Sequence, residues 1–143
     1  MTMRRNADKN KAKINGSHFL AVLTGTNDIS KKTLLDKKLI ISNFPVTFGR
    51  EAPKDFSFSG RHFVQIYDKR PYSISPKQFS IVINSGQVYI EDENSKLGTI
   101  VDGEPLGESL HGKKIIPIRP GKHVIQLGGV NSPLVFLLEI KES

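Results

Sequence analysis

Between Ser73 and Gly103 the apolar positions fall on every second residue. Phe79, Ile81 and Ile83 alternate with Ser80 and Val82, and Val88 and Ile90 alternate with Gln87, Tyr89 and Glu91. A period of two places successive side chains on opposite faces of an extended chain, so both segments are expected as half-buried strands. Asn84-Ser85-Gly86 lies between them and supplies the tight turn, because glycine tolerates positive φ without penalty. Ser75-Pro76-Lys77 leads into the first strand and Asn94-Ser95-Lys96-Leu97-Gly98-Thr99 follows the second. Antiparallel neighbours put the start of one beside the end of the next. The two polar loops are therefore expected at one end of the hairpin, within reach of a single ligand.

The same short period recurs along the chain. Phe19–Leu23 is an apolar run that stops at Thr24-Gly25-Thr26-Asn27-Asp28, and it predicts a buried strand. Residues 29–38 set Lys31, Lys32, Lys37 and Lys38 around Leu34 and Leu35, a pattern that fits a helical turn or a solvated ribbon equally well. Leu39-Ile40-Ile41 and Val46-Thr47-Phe48 resume the strand pattern on either side of Pro45, and the second closes at Gly49-Arg50. Residues 52–61 have loop composition, and Phe63–Tyr67 reads as a further strand. Beyond the hairpin, Thr99–Val101, Lys114–Ile118, His123–Leu127 and Leu134–Ile140 are strands, with residues 104–112 a loop. The last is apolar on both faces and expected to be buried. Short strands separated by Gly, Pro and Asn turns, with no long amphipathic helix, predict an all-β sandwich or barrel.

Composition narrows what such a domain does. The chain has 143 residues, 37% of them apolar, which suits one domain with its own core. No apolar run approaches the roughly 20 residues of a membrane-spanning helix. There is no cysteine, which removes disulfides, thiolate metal sites and a thiol nucleophile and is compatible with a cytoplasmic setting. The formal charge is +7, yet residues 1–13 hold Arg4, Arg5, Lys9, Lys11 and Lys13 against Asp8, so more than half of the excess sits there. Residues 1–16 are expected as a disordered basic leader or linker and residues 17–143 as the folded domain. A nearly balanced domain behind a basic leader disfavours a nucleic-acid module. His18, His62, His111 and His123 lack metal-ligand spacing, and no nucleophile–base order stands out. The expectation is a protein with no catalysis, no metal and no cofactor.

The order of short motifs supplies the rest. Gly49-Arg50, then Ser75-Pro76-Lys77-Gln78, then Gly98-Thr99 followed by Asp102-Gly103, with Asp92 and Ser95 between, resembles a forkhead-associated domain of bacterial type over residues 19–140. The resemblance implies a two-sheet β-sandwich whose loops at one end bind a phosphothreonine peptide. It implies a partner protein phosphorylated by a Ser/Thr kinase, and often one module of a longer protein. It assigns Arg50 to the phosphate, because a guanidinium meets a doubly charged anion with a planar fork of donors. It assigns the Ser75 hydroxyl to a phosphate oxygen, and it places Ser95, Lys96 and Leu97 on the second ligand loop.

Three positions depart from the family pattern. Pro76 stands where a donor is common and has neither N–H nor polar side chain. Gln78 stands where a loop-supporting histidine is usual, and an amide replaces some of its hydrogen bonds. Leu97 stands where an asparagine bonds the peptide backbone. Lys96, and with strand alternation against it Lys77, are the candidates to supply charge instead. Two lost donors cost about 1–3 kcal/mol together, or a factor of about 5–150 in affinity. The alternative within the same fold is a scaffold that binds protein without reading phosphate.

Overall fold

The computed structural model describes residues 18–142, so the basic segment 1–16 lies outside the described residues. Among the described residues eleven strands form two sheets. In chain order they are β1 (Phe19–Gly25), β2 (Leu39–Ile41), β3 (Val46–Gly49), β4 (His62–Gln65), β5 (Phe79–Asn84), β6 (Gln87–Asp92), β7 (Thr99–Val101), β8 (Glu104–Leu106), β9 (Ile115–Ile118), β10 (Gly121–Leu127) and β11 (Leu134–Glu142). One sheet runs β2-β1-β11-β10-β7-β8 and the other β4-β3-β5-β6-β9. The architecture is the expected all-β sandwich.

The core fills from the alternating positions. Phe48, Phe79, Ile81 and Ile90 from one sheet, and Ile125, Leu127, Phe136 and Leu138 from the other, are fully buried. Phe48 and Phe79 are neighbours across β3 and β5 and stack with ring centroids 4.7 Å apart. β11 is a central strand between β1 and β10, buried at Leu134, Phe136, Leu138 and Ile140, with Val135 and Leu137 half-buried on the outer face. Its two apolar faces thus have different surroundings.

The hairpin forms in the anticipated place with a tighter turn. Asn84 pairs with Gln87, so Ser85 and Gly86 alone make the turn, with φ of 54° and 76°. Two consecutive positive φ values are the geometry that matches the right-handed twist of the strands. Residues 29–38 resolve into one short helix, α1 (Asp28–Thr33). Asn27 caps it by accepting the Ser30 N–H at 2.8 Å, and Leu34 continues into the core. Leu35 and Asp36 take left-handed backbone and end it.

Several elements differ from the sequence expectation, among them a short 3₁₀ turn at Glu108–Leu110 in the expected 104–112 loop. The strand after residue 61 is His62–Gln65, shorter and earlier than expected, and it pairs with β3 in parallel. Residues Phe56–Phe58 form a 3₁₀ turn within the expected loop. Glu104–Leu106, expected as loop, pairs with β7 around the Asp102-Gly103 turn. A three-residue strand carrying Pro105 offers no alternation to detect, and it exists because the turn presents it to β7.

No helix of the described residues is long and apolar enough to cross a membrane. Among the same residues no cluster of His, Asp and Glu is arranged to hold a metal ion.

Candidate functional site

β3 ends where the chain must come very close to another segment. A Cβ on Gly49 would overlap the Pro76 carbonyl oxygen, so only glycine admits this approach. The contact is closed by backbone hydrogen bonds from Arg50 N–H to Ser75 O at 3.0 Å and from Glu51 N–H to Pro76 O at 3.2 Å. Arg50 and Ser75, far apart in sequence, thereby start from adjacent backbone.

The Arg50 side chain is held on two sides. Its Nε donates to Ile74 O at 3.0 Å, and its guanidinium carbon lies 3.9 Å from the centroid of the Tyr72 ring. Stacking on an aromatic face fixes the plane of the fork without using its terminal donors. Glu51 approaches one terminal nitrogen at 3.6 Å from a largely exposed position, a weak surface pairing. Among the described residues neither terminal nitrogen makes a hydrogen bond to the protein, and both remain available to a ligand.

Tyr72 is placed by a carboxylate. Asp68 accepts the N–H groups of Ser73 at 2.8 Å and Ile74 at 2.9 Å on one oxygen, and that of Lys69 at 2.9 Å on the other. Those bonds curl the loop so that Tyr72 lies beneath Arg50. Arg70 reaches the same ring at 5.5 Å and adds a second positive charge to this rim.

Ser75 is fixed by both of its polar groups. Its N–H donates to Gln78 Oε1 at 2.9 Å, and its Oγ accepts the Lys96 N–H at 2.8 Å. An incoming donor occupies one lone pair, and the hydroxyl proton is left to point at a ligand oxygen. Gln78 is fully buried and spans the loops, its Nε2 donating to Gly98 O at 2.9 Å and to Thr99 Oγ1 at 3.1 Å. The amide therefore does the bracing that the resemblance gives to a histidine.

The second loop is knotted around Asp92. Its carboxylate accepts the Ser95 N–H at 3.0 Å, the Ser95 hydroxyl at 2.6 Å and the Thr99 hydroxyl at 2.8 Å. Ser95 Oγ in turn accepts the Gly98 N–H at 3.0 Å.

Arg50, Ser75, Lys96 and Leu97 line one cavity of about 340 Å³, with Tyr72 and Pro76 among its other walls. The other two residues expected on the ligand side fall elsewhere. Ser95 is buried with its hydroxyl donating to Asp92 and accepting the Gly98 N–H, so it shapes the loop, and it lines a different hollow with Asn94, Glu108, Ser109 and His111. Lys77 lines a separate hollow with Pro53, Phe56, Arg61 and Glu93; it sits in a bend just before β5 begins at Phe79, so the alternation of that strand does not set its direction. Tyr72 and Asp68 were not anticipated. Arg70-Pro71-Tyr72 reads as a solvated turn, and no spacing rule connects Tyr72 to Arg50 across the intervening strand.

The family model of the FHA domain matches residues 46–128, from the start of β3 to just past β10. The chain belongs to the FHA domain family. Its fold is similar to the FHA domain of the CT664 protein from Chlamydia trachomatis, at 20% identity and a TM-score of 0.54, over 87% of this chain and 98% of that one. It is similar to FHA-1 of Rv1747 from Mycobacterium tuberculosis at 12% identity and a TM-score of 0.56, over 87% and 98%. It is also similar to an FHA domain studied for phosphothreonine-dependent interactions, at 14% identity and a TM-score of 0.52, over 87% and 97%. No curated protein matches the chain.

Proposed function

We propose that the protein is a non-catalytic recognition module that recruits a phosphothreonine-bearing partner through the cavity between Arg50, Ser75 and Lys96. The observation that carries this reading is the restraint of Arg50. Tyr72 and Ile74 O hold its guanidinium flat while its terminal nitrogens stay unbonded among the described residues, beside a hydroxyl whose lone pair is taken by Lys96 N–H. A phosphate carries about −1.5 to −2 charges and three strong acceptors, which match those donors. Donors fixed before binding lose little entropy on binding, which offsets the peptide contacts missing at Pro76 and Leu97. Family membership and a fold shared with an FHA domain studied for phosphothreonine-dependent interactions support the same reading. The partner implied is a cytoplasmic protein phosphorylated by a Ser/Thr kinase.

Arg50→Ala is expected to weaken a phosphothreonine peptide by about a hundredfold or more, the scale of two charge-assisted hydrogen bonds, with the circular dichroism spectrum unchanged. Arg50→Lys keeps the charge without the fork and should fall between. Unchanged affinity in Arg50→Ala, measured by isothermal titration, rejects the cavity as the phosphate site.

Leu97 and Pro76 favour a second reading, a scaffold of the same fold that binds protein without phosphate. Matched phosphorylated and unmodified peptides separate the two. Equal affinity for both selects the scaffold.

A further inference from the structure

The cavity has two kinds of wall. Arg50, Lys96 and Ser75 face it from one part, and Pro71, Pro76 and Leu97 from another. Leu97 is 36% exposed and Tyr72 42% exposed, large apolar surfaces beside a cationic rim. An isolated exposed leucine means little, but this one cannot retreat. The loop that carries it is tied at Ser95 by Asp92 and at Gly98 by Ser95 Oγ. Behind it, Gly98 has φ of 84°, and the space a side chain would occupy there is filled by Leu110. Leu97 is therefore held at the cavity edge by a rigid loop and does not belong to the buried core.

That placement decides what a bound peptide meets next to its phosphate. Neither Leu97 nor Pro76 has a side-chain polar group to bond the peptide backbone, and Pro76 has no N–H. What they offer is apolar area to be covered. Resting on the phosphopeptide reading above, we infer that Leu97, with Pro76 and Pro71, selects phosphopeptides in which a residue flanking the phosphothreonine is bulky and aliphatic. The anion supplies orientation and the aliphatic neighbour supplies selectivity. Covering most of a leucine-sized side chain is worth about tenfold in affinity.

The test uses labelled phosphothreonine peptides of equal net charge, with leucine or serine at each of the two flanking positions, read by fluorescence anisotropy. Wild-type protein is expected to bind the leucine peptide about tenfold tighter at one flank. Leu97→Asn should erase that preference, and Leu97→Met should retain it. Both substitutions lie outside the core, and a thermal melt checks that each variant folds. Equal binding of leucine and serine peptides by the wild type overturns the inference, as does a preference that Leu97→Asn leaves intact. The phosphate reading is scored separately, by the unmodified peptides and by Arg50→Ala. If those match the phosphorylated peptides and the wild type, both conclusions fall together.

Discussion

Gln78 sits where the loops carrying Ser75 and Gly98 meet, and its chemistry limits how the proposed site responds to acidity. An amide carries no titrating proton, and it fastens Ser75 to Gly98 and Thr99 from a fully buried position. Among the described residues no histidine lines the cavity. The one group expected to change charge between pH 5 and 8 is then the peptide phosphate, whose second ionisation lies near 6. Affinity should be flat from about pH 7 to 8 and fall as pH drops through about 6, because the monoanion loses half of its charge against Arg50. Isothermal titration across that range checks it, and an inflection well above 6 would mean a protein group is involved. At this scale the chemistry was partly legible. Arg50, Ser75 and the bracing role of Gln78 follow from short motifs in order. Tyr72 and Asp68 do not, because a stacking partner and an N–H acceptor are chosen by how a loop folds back, which residue type alone leaves open.

Among the elements, the strand pair β3–β5 and the loop after residue 74 are joined most tightly at Gly49. Gly49→Ala forces a methyl group into the Pro76 carbonyl, where backbone rather than a flexible side chain must move. The expected cost is about 1–3 kcal/mol, the range for overpacking a tight site, read as a lower midpoint in urea. Peptide affinity should fall with it, since Arg50 and Ser75 are registered through that contact. Strands with strict alternation, such as β5 and β6, were legible because one face must be buried and register follows from that. The parallel pairing of β4 was not. Four residues are too few to carry a period, and their partner is set by the length of the segment that returns them to β3.

Across the whole molecule, most of the sequence's net charge lies within residues 1–13, while the described sandwich places Arg50 and Lys96 around one cavity and Arg70 against the Tyr72 ring in its wall. Fold class was legible at this scale, since recurrent short strands and turn residues admit few architectures. The segment between Arg50 and Ser75 was the least legible part, and the structure gives it a job. It is sewn into the sheet edge at β4. Ile66 N–H donates to Gly49 O at 2.7 Å, the Gln65 side-chain amide donates to Arg50 O at 3.1 Å, and Tyr67 N–H donates to Thr33 O at 2.8 Å. A peptide that steadies Arg50 should therefore slow amide hydrogen exchange at Ile66, and leave the β1–β11 amides as they were. Exchange slowed everywhere, or nowhere, would sever that link. If it holds, the edge strand acts as a strain gauge: a partner gripped at the rim registers at β4, beyond the residues that wall the cavity.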